Sequence, residues 1–406
     1  MTNRAQRIGI GLLLATFCVP WSVMAQAAAY KNWDVKNRLR IEHDDNVFTS
    51  SENELKSWKL IDQVDLGYNL SMENTLLSLH WRPALIMWEN RPGDDQSFDS
   101  AFDASFNHVL SPRWSLSLKD TFRFSENPEQ VDRGVTVRQK NEFLYNALLG
   151  AASHLFNPKT RLELAGRWVT LQYDEDDQIA QFNDYDLYVG GLTLQHSWKP
   201  ETAFSADVRL ESLEYATPER DSDTLSLGAG LEHTFNPGLL GSVRVGHQSR
   251  DFKSETVLQN DSTLPFFDLS LTYLPAPATR LTVGSSHSLF ESDVYPYSST
   301  DRSRSFVSLG HDFSASVSGY LTGSYTRNEY SANEAANSAL IDPNTGQPAF
   351  IIRDGEEEWY QFSARLSYKI SRRNSLEINW QYTDVESDVR ENFKRNRGGV
   401  GWVLRI

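Results

Sequence analysis

Nine histidines, three acidic runs and one Ser-His-Ser triplet are the groupings in this chain that could hold a metal or move protons. Five histidines recur in one local pattern: His108-Val-Leu-Ser-Pro112, His154-Leu-Phe-Asn-Pro158, His196-Ser-Trp-Lys-Pro200, His233-Thr-Phe-Asn-Pro237 and His311-Asp-Phe-Ser-Ala315. They fall on every second or fourth strand of an extended chain. Alternate strands lie about 10 Å apart, so these rings cannot converge on one ion at about 2 Å. The pattern predicts an interfacial girdle of His108, His154, His196, His233 and His311, amphipathic rings at headgroup level, and no metal site. Ser286-His287-Ser288 and residues 184–186 are the places to look for a nucleophile with its base, but neighbours on a strand point to opposite faces. No catalytic residue and no cofactor are assigned. The acidic runs at 174–177, 219–223 and 356–358 lack the central Gly and terminal Glu of an EF-hand. They are expected to be solvated loop charge, with divalent bridging to surface sugar phosphates as the alternative.

The element that positions these residues is a repeated hairpin. Short turns recur at 73–74, 111–113, 157–159, 199–201, 236–238, 275–278, 314–318 and 371–374, each built from Pro, Asn, Ser, Gly or another turn former. Between them stand longer, charged, variable loops at 49–55, 91–96, 126–138, 174–177, 217–223, 253–261, 291–300, 331–358 and 385–391. The segments alternate with period two. Trp114, Leu116, Leu118, Phe122 and Phe124 share one face, with Ser115, Ser117, Lys119, Thr121 and Arg123 on the other. Short turns at one end and long loops at the other imply an all-β, transmembrane, antiparallel up-and-down β-barrel of about 18 strands, with short periplasmic turns and long extracellular loops.

The N-terminus agrees with export. Arg4 and Arg7, an apolar stretch from Ile8 to Pro20 and the small residues at 25–27 read as a signal peptide over 1–27, leaving 28–406 as one outer-membrane barrel domain. Cys18, the only cysteine, falls inside the signal. A net charge of -15 excludes nucleic acid as a partner. With only alternate residues facing lipid, a barrel combines low mean hydropathy with the 12% aromatic content found here.

The inward row is the surface that meets a solute. The alternation places Arg38, Arg40, Lys119, Arg123, Arg209, Arg244, Arg250, Arg280, Arg365 and Lys369 there, with Asp65, Asp103, Asp207, Glu232, Asp268 and Glu377, giving a near-neutral to mildly basic lumen. Such charges either select anionic solutes or pair across strands and fill the interior. Trp88, Tyr145, Phe266, Phe290 and Phe306 fall on the same side. The loop at 331–358 is read either as a constriction folding inward or as a disordered outer tip.

The end of the first strand, His43-Asp-Asp-Asn-Val-Phe48 after Asn37-Arg-Leu-Arg-Ile-Glu42, together with the repeated turns, resembles the Putative β-barrel porin 2 family over essentially the whole mature chain. Similar barrels accompany exopolysaccharide or capsule synthesis and export. The resemblance therefore implies an exit pore for polysaccharide, with the lumen aromatics stacking on sugar and periplasmic or inner-membrane synthesis and export proteins as partners beside outer-membrane lipid. The alternative is a general or substrate-selective diffusion porin for small solutes. A third class is an outer-membrane enzyme or a plugged structural or adhesin barrel.

Overall fold

The computed structural model describes residues 32–91, 95–126, 129–130, 136–137, 142–174, 182–254, 261–332 and 353–406. The segment read as a signal peptide, 1–27, and residues 333–352 of the longest loop lie outside them.

Eighteen antiparallel strands form one sheet. They are β1 Trp33–Asp44, β2 Ser57–Ser71, β3 Thr75–Trp88, β4 Gln96–Ser111, β5 Trp114–Ser125, β6 Phe143–Asn157, β7 Thr160–Tyr173, β8 Tyr185–Lys199, β9 Thr202–Tyr215, β10 Ser222–Asn236, β11 Leu239–Phe252, β12 Ser262–Ala276, β13 Thr279–Glu291, β14 Ser299–Asp312, β15 Val317–Tyr330, β16 Gly355–Lys369, β17 Asn374–Ser387 and β18 Phe393–Arg405. Each pairs with its successor, and β1 pairs back onto β18 from Lys36↔Arg405 to Asp44↔Arg397. Closure leaves no free edge, which a chain spanning lipid requires because unpaired backbone groups find no water there. The expected barrel, its strand number and the alternation of short turns with long loops are all present.

The short turns are set by local chemistry. Asn157 Oδ1 accepts the Lys159 N–H at 2.9 Å, and Asn236 Oδ1 accepts that of Gly238 at 2.9 Å. Ser111, Ser314 and Ser371 use Oγ the same way. In each case a short polar side chain replaces a backbone acceptor and lets the chain reverse within two to four residues. A register shift precedes five of these turns, at 109/111, 155/157, 197/199, 234/236 and 273/276.

The recurrent histidines lie on the outward row, and His108, His154, His196 and His233 stand beside such shifts. His108, His196, His233 and His311 each face the first residue of the preceding strand, a threonine, and hydrogen-bond it: to Thr75 at 2.8 Å, Thr160 at 3.0 Å, Thr202 at 2.8 Å and Thr279 at 2.8 Å. His154 faces Trp114 instead, with ring centres 4.4 Å apart. Two residues on, Phe156, Phe235 and Phe313 meet the histidine rings nearly edge-on. The motif clasps the feet of neighbouring strands and adds apolar bulk at the same level.

Above this level the outward row is mostly apolar, with Leu164, Leu210, Leu227, Val245, Leu321, Ile378 and Val400 exposed. Near the loop end come Trp58, Trp168, Tyr188, Tyr360 and Trp380. Their polar tips point to carboxylates beyond: Tyr325 and Tyr360 donate to Glu358 at 2.8 and 2.9 Å, Tyr382 to Asp384 at 2.9 Å, and Trp168 to Asp186 at 3.1 Å. An apolar band with aromatic belts and an acidic outer rim is the surface of a barrel that sits in lipid and emerges on the loop side. Strands of 12 to 16 residues are longer than the tilted span needs, and the surplus projects on that side.

Candidate channel and its constriction

The pairing registers place the ten cations expected in the lumen, and Trp88 and Tyr145 with them, on the inward row, but in two different settings. Lys119, Arg280, Arg365 and Lys369 are exposed in the lumen. Arg250, Tyr145 and Trp88 are at most 5% exposed, enclosed by other protein atoms rather than lining open space. Burial of the inward row recurs around the extracellular half: Asp44, Phe143, Leu171, Leu187, Leu213, Ser222, Thr300, Tyr330, Glu357 and Val385 are all nearly inaccessible.

Inward-folded loops cause it. Residues 45–56 turn in after β1, where the Val47 side chain packs against Ile61, Ala84, Ile86 and Trp88. Asn46 Nδ2 donates to the Ser50 and Lys394 carbonyls at 2.8 and 3.0 Å. Residues 292–298, between β13 and β14, form a second strap. Arg220, from the 3-10 turn Pro218–Arg220, donates to the carbonyls of Ser292 and Tyr297 at 3.1 and 2.5 Å, and to that of Phe182 at 2.5 Å. Its guanidinium lies 3.7 Å from the centre of the Tyr215 ring, whose hydroxyl meets the Ser292 and Ser298 carbonyls at 2.8 and 2.9 Å. On the other side Arg390 reaches Asp293 at 2.9 Å and grips Glu357 through two bonds of 2.6 and 2.7 Å. The two carboxylates hold the Arg390 guanidinium well above its ordinary pKa despite its burial. Val294 and Tyr297 pack with Tyr330 and Ala332. The strap thus ties the loops of Arg220 and Arg390 to the ends of β9 and β15 across the mouth.

The inward charges divide by wall. On β1–β5 and β17–β18 bases meet acids: Arg38 with Glu377 at 3.3 Å, His80 with Asp65 at 3.2 Å, Lys59 with Glu42 at 2.8 Å and Arg395 with Asp44 at 2.6 Å. Asp103 binds both Arg82 and Arg123. Asp207 on β9 holds Arg244 at 2.5 Å and Arg209 at 3.5 Å. On β13–β16 the inward row below Glu357 carries one carboxylate, Asp312 at the periplasmic end of β14; elsewhere it reads Ser, Thr, Gly, Asn, Gln and aromatic residues around Arg280, Arg302, Arg304, Arg365 and Lys369.

The rival chemical sites do not assemble. His287 points outward to Ser303 at 2.8 Å, while the registers turn Ser286 and Ser288 inward, so the triplet is split between faces. Among the described residues no three His, Cys, Asp or Glu side chains gather as a metal site. The outer rim carboxylates end in tyrosines and basic residues, as at Glu356 with Arg327 at 2.6 Å.

The family model described as "Putative beta-barrel porin 2" matches residues 124–406. The chain belongs to this family. It is an outer-membrane β-barrel porin, and its place is the bacterial outer membrane. No curated protein matches the chain. Among solved structures, Acinetobacter baumannii OccAB4 is similar at 9% identity, covering 93% of this chain and 100% of that one, with a TM-score of 0.47. Pseudomonas aeruginosa OpdQ is similar at 10% identity, covering 92% and 98%, with a TM-score of 0.46. Pseudomonas aeruginosa OccK2 (OpdF), solved in complex with glucuronate, is similar at 10% identity over the same shares, with a TM-score of 0.47.

Arg220, Arg302, Arg304 and Arg390 escaped the sequence reading. Arg302 and Arg304 lie in Ser-Thr-Asp-Arg-Ser-Arg-Ser, where neither row is apolar and the alternation cannot be phased. Arg220 and Arg390 stand in loops, which have no period at all.

Proposed function

We propose that this porin is a passive, selective channel for small hydrophilic solutes with a preference for anions, and has no enzymatic activity. The observation that carries the reading is the burial of the inward row all around the extracellular half, beneath loops tied by Arg220 and Arg390. An eighteen-stranded barrel with an empty lumen would be wide. One narrowed by straps selects by size, and the exposed basic side chains below the straps select by sign. Export of a polysaccharide, which the family resemblance implied, finds no support in a lumen closed to this degree, since a hydrated chain needs a continuous wide path. The small-solute alternative accounts for the straps better.

The test is reconstitution of the barrel in planar bilayers and liposomes. Small conductance, a reversal potential on the anion side in a salt gradient, and entry of monosaccharides but not of oligosaccharides are expected. A large conductance blocked reversibly by polysaccharide would overturn the reading in favour of export.

A further inference from the structure

Arg302 and Arg304 project into the lumen from β14, two residues and therefore about 7 Å apart on one face. Arg302 is 5% exposed; its Nε donates to Asn328 Oδ1 at 2.8 Å, its Cζ lies 4.6 Å from the Phe290 ring centre, and its Nη1 is buried without an acceptor. Arg304 has no hydrogen bond or ion pair among the described residues, and its Nε too is enclosed and unpartnered. Leaving such donors unmet is costly, more so for a charged group.

Arg304 is nevertheless held in place. Its Cζ lies 5.5 Å from the centre of the Phe306 ring, and that ring lies against Gly284 of β13, where an added Cβ would stand 2.4 Å from Phe306 Cε1. The missing side chain at Gly284 is what makes room for the ring. Arg244 on β11 is propped identically, 4.4 Å above Phe266, which in turn lies against Gly246. There the resemblance ends: Arg244 closes on Asp207 through two bonds of 2.7 and 2.5 Å, whereas the neighbours directly across from Arg304 are Ser286 and Thr326. The same prop carries a neutralised cation on one wall and an unneutralised one on the other.

We infer that Arg304, propped on Phe306 and backed by Arg302, binds the carboxylate of a small organic anion inside the channel, with the Ser286 and Thr326 hydroxyls completing the site. The inference rests on the channel reading above and names its solute class. A guanidinium fork matches one planar carboxylate through two parallel bonds. Arg302 keeps its charge but gives its Nε to Asn328 and has its Nη1 enclosed, so the site presents one open guanidinium fork, the match for a single planar carboxylate.

The experiment uses the whole mature barrel. Gluconate and acetate are titrated against glucose and inorganic phosphate, by current block in planar bilayers and by calorimetry on the detergent-solubilised protein, which needs no conduction. Gluconate is expected to bind and block, glucose to do neither, and phosphate to bind more weakly. Arg304→Gln should weaken gluconate binding about tenfold or more, and Thr326→Val by a smaller factor. Lys394→Gln, a cation on the outward row paired with Asp384, should leave the site unchanged. Equal gluconate affinity in Arg304→Gln and wild type, or no gluconate binding to the wild type, overturns the site. Tighter binding of phosphate overturns the carboxylate assignment. A barrel that excludes oligosaccharides and conducts anions while Arg304→Gln has no effect loses the site but keeps the channel. One that binds gluconate through Arg304 yet passes no current loses the channel but keeps the site.

Discussion

Arg250, near the extracellular end of β11, is completely buried, with Nε on Thr224 at 2.7 Å and Nη2 on Glu211 at 2.6 Å, whereas Arg280, at the foot of β13, is exposed and has no ion pair among the described residues. Both are inward-facing arginines of neighbouring hairpins. The extracellular half of the lumen is packed like a protein interior, including an apolar cluster of Phe143, Tyr145, Val169, Leu171, Leu187 and Leu213 that no water-filled pore would need. The periplasmic half keeps its charges in the open. The difference teaches that an inward position does not by itself make a pore-lining residue; what decides is whether a loop can reach it. The straps constrict the upper half, and the free cations below them are left for solutes.

Releasing a strap should break this contrast most strongly. Arg390→Ala removes the basic group bound to Asp293 and to Glu357, which is 0% exposed and would keep only neutral donors such as Trp359 Nε1 at 2.7 Å. An uncompensated buried carboxylate costs about 3–5 kcal/mol, enough to expel the strap at 292–298. Single-channel conductance is expected to rise several-fold, and the size cut-off in liposome swelling to move to larger sugars. Unchanged conductance would place the constriction elsewhere.

A smaller effect is expected from taking the bonded carboxylate away from a neutralised cation. Asp207→Asn deprives Arg244 on its Phe266 prop of the carboxylate it is bonded to, with Asp268 across from it on β12 as the remaining acid. A unit charge at about 4 Å in solvent is worth about 1 kcal/mol, so the anion-to-cation permeability ratio should rise roughly fivefold. If reversal potentials do not move, the ratio is set above Asp207, at the straps, and the lower lumen contributes little to selectivity.

The scaffold was legible because its signals are local and repeated. Period-two rows such as Trp114 to Phe124, and turn residues such as Asn157 and Asn236, act within a few residues of themselves. Even the inward assignment of Arg38, Arg244 and Arg280 followed from parity alone. The constriction was not legible, since the contact of Arg220 with Tyr297 or of Arg390 with Asp293 joins loops that are distant in sequence and carry no periodicity. The β6 sequence Phe-Leu-Tyr-Asn-Ala-Leu-Leu is apolar on both rows, so parity could not announce that Phe143 and Tyr145 face a packed interior.

The closed half should also respond to pH. Asp184, in the loop before β8, is partly buried, and this burial pushes its carboxyl up to about 6; nearby Asp186 adds to the rise, while the Tyr173 N–H, donating at 2.8 Å, opposes it. A raised folded value means that the fold prefers the protonated acid. Its contribution is therefore fully present below the ordinary value of 3.8, is lost as pH rises towards about 6, and stays lost above. Hydrogen exchange at the Tyr173 amide, corrected for intrinsic rate, should lose protection over that window. Asp184→Asn should flatten the profile while keeping an acceptor for the amide, and a profile unchanged by that substitution would assign the titration to another group.

The smallest expected effect lies at the feet of the open half, where the histidine clasps can be tested against their one exception. Thr202→Val deletes the partner of His233, at a cost of about 1 kcal/mol or less for a single neutral hydrogen bond at a wet interface. At His154 the clasp is already absent: Nδ1 is buried without a partner, and Trp114 occupies the threonine position. Trp114→Thr would supply the missing bond but give up an aromatic contact worth about 0.5–1.5 kcal/mol, along with an indole at the membrane boundary. The two terms nearly cancel, and the lost indole tips the balance, so a loss of about 1 kcal/mol or less is expected in urea unfolding of the lipid-reconstituted barrel. A gain would mean that the hydrogen-bonded clasp, rather than the aromatic belt, secures this end of the barrel, and would assign the recurrence of His and Thr across four hairpins to strand registration instead of membrane anchoring.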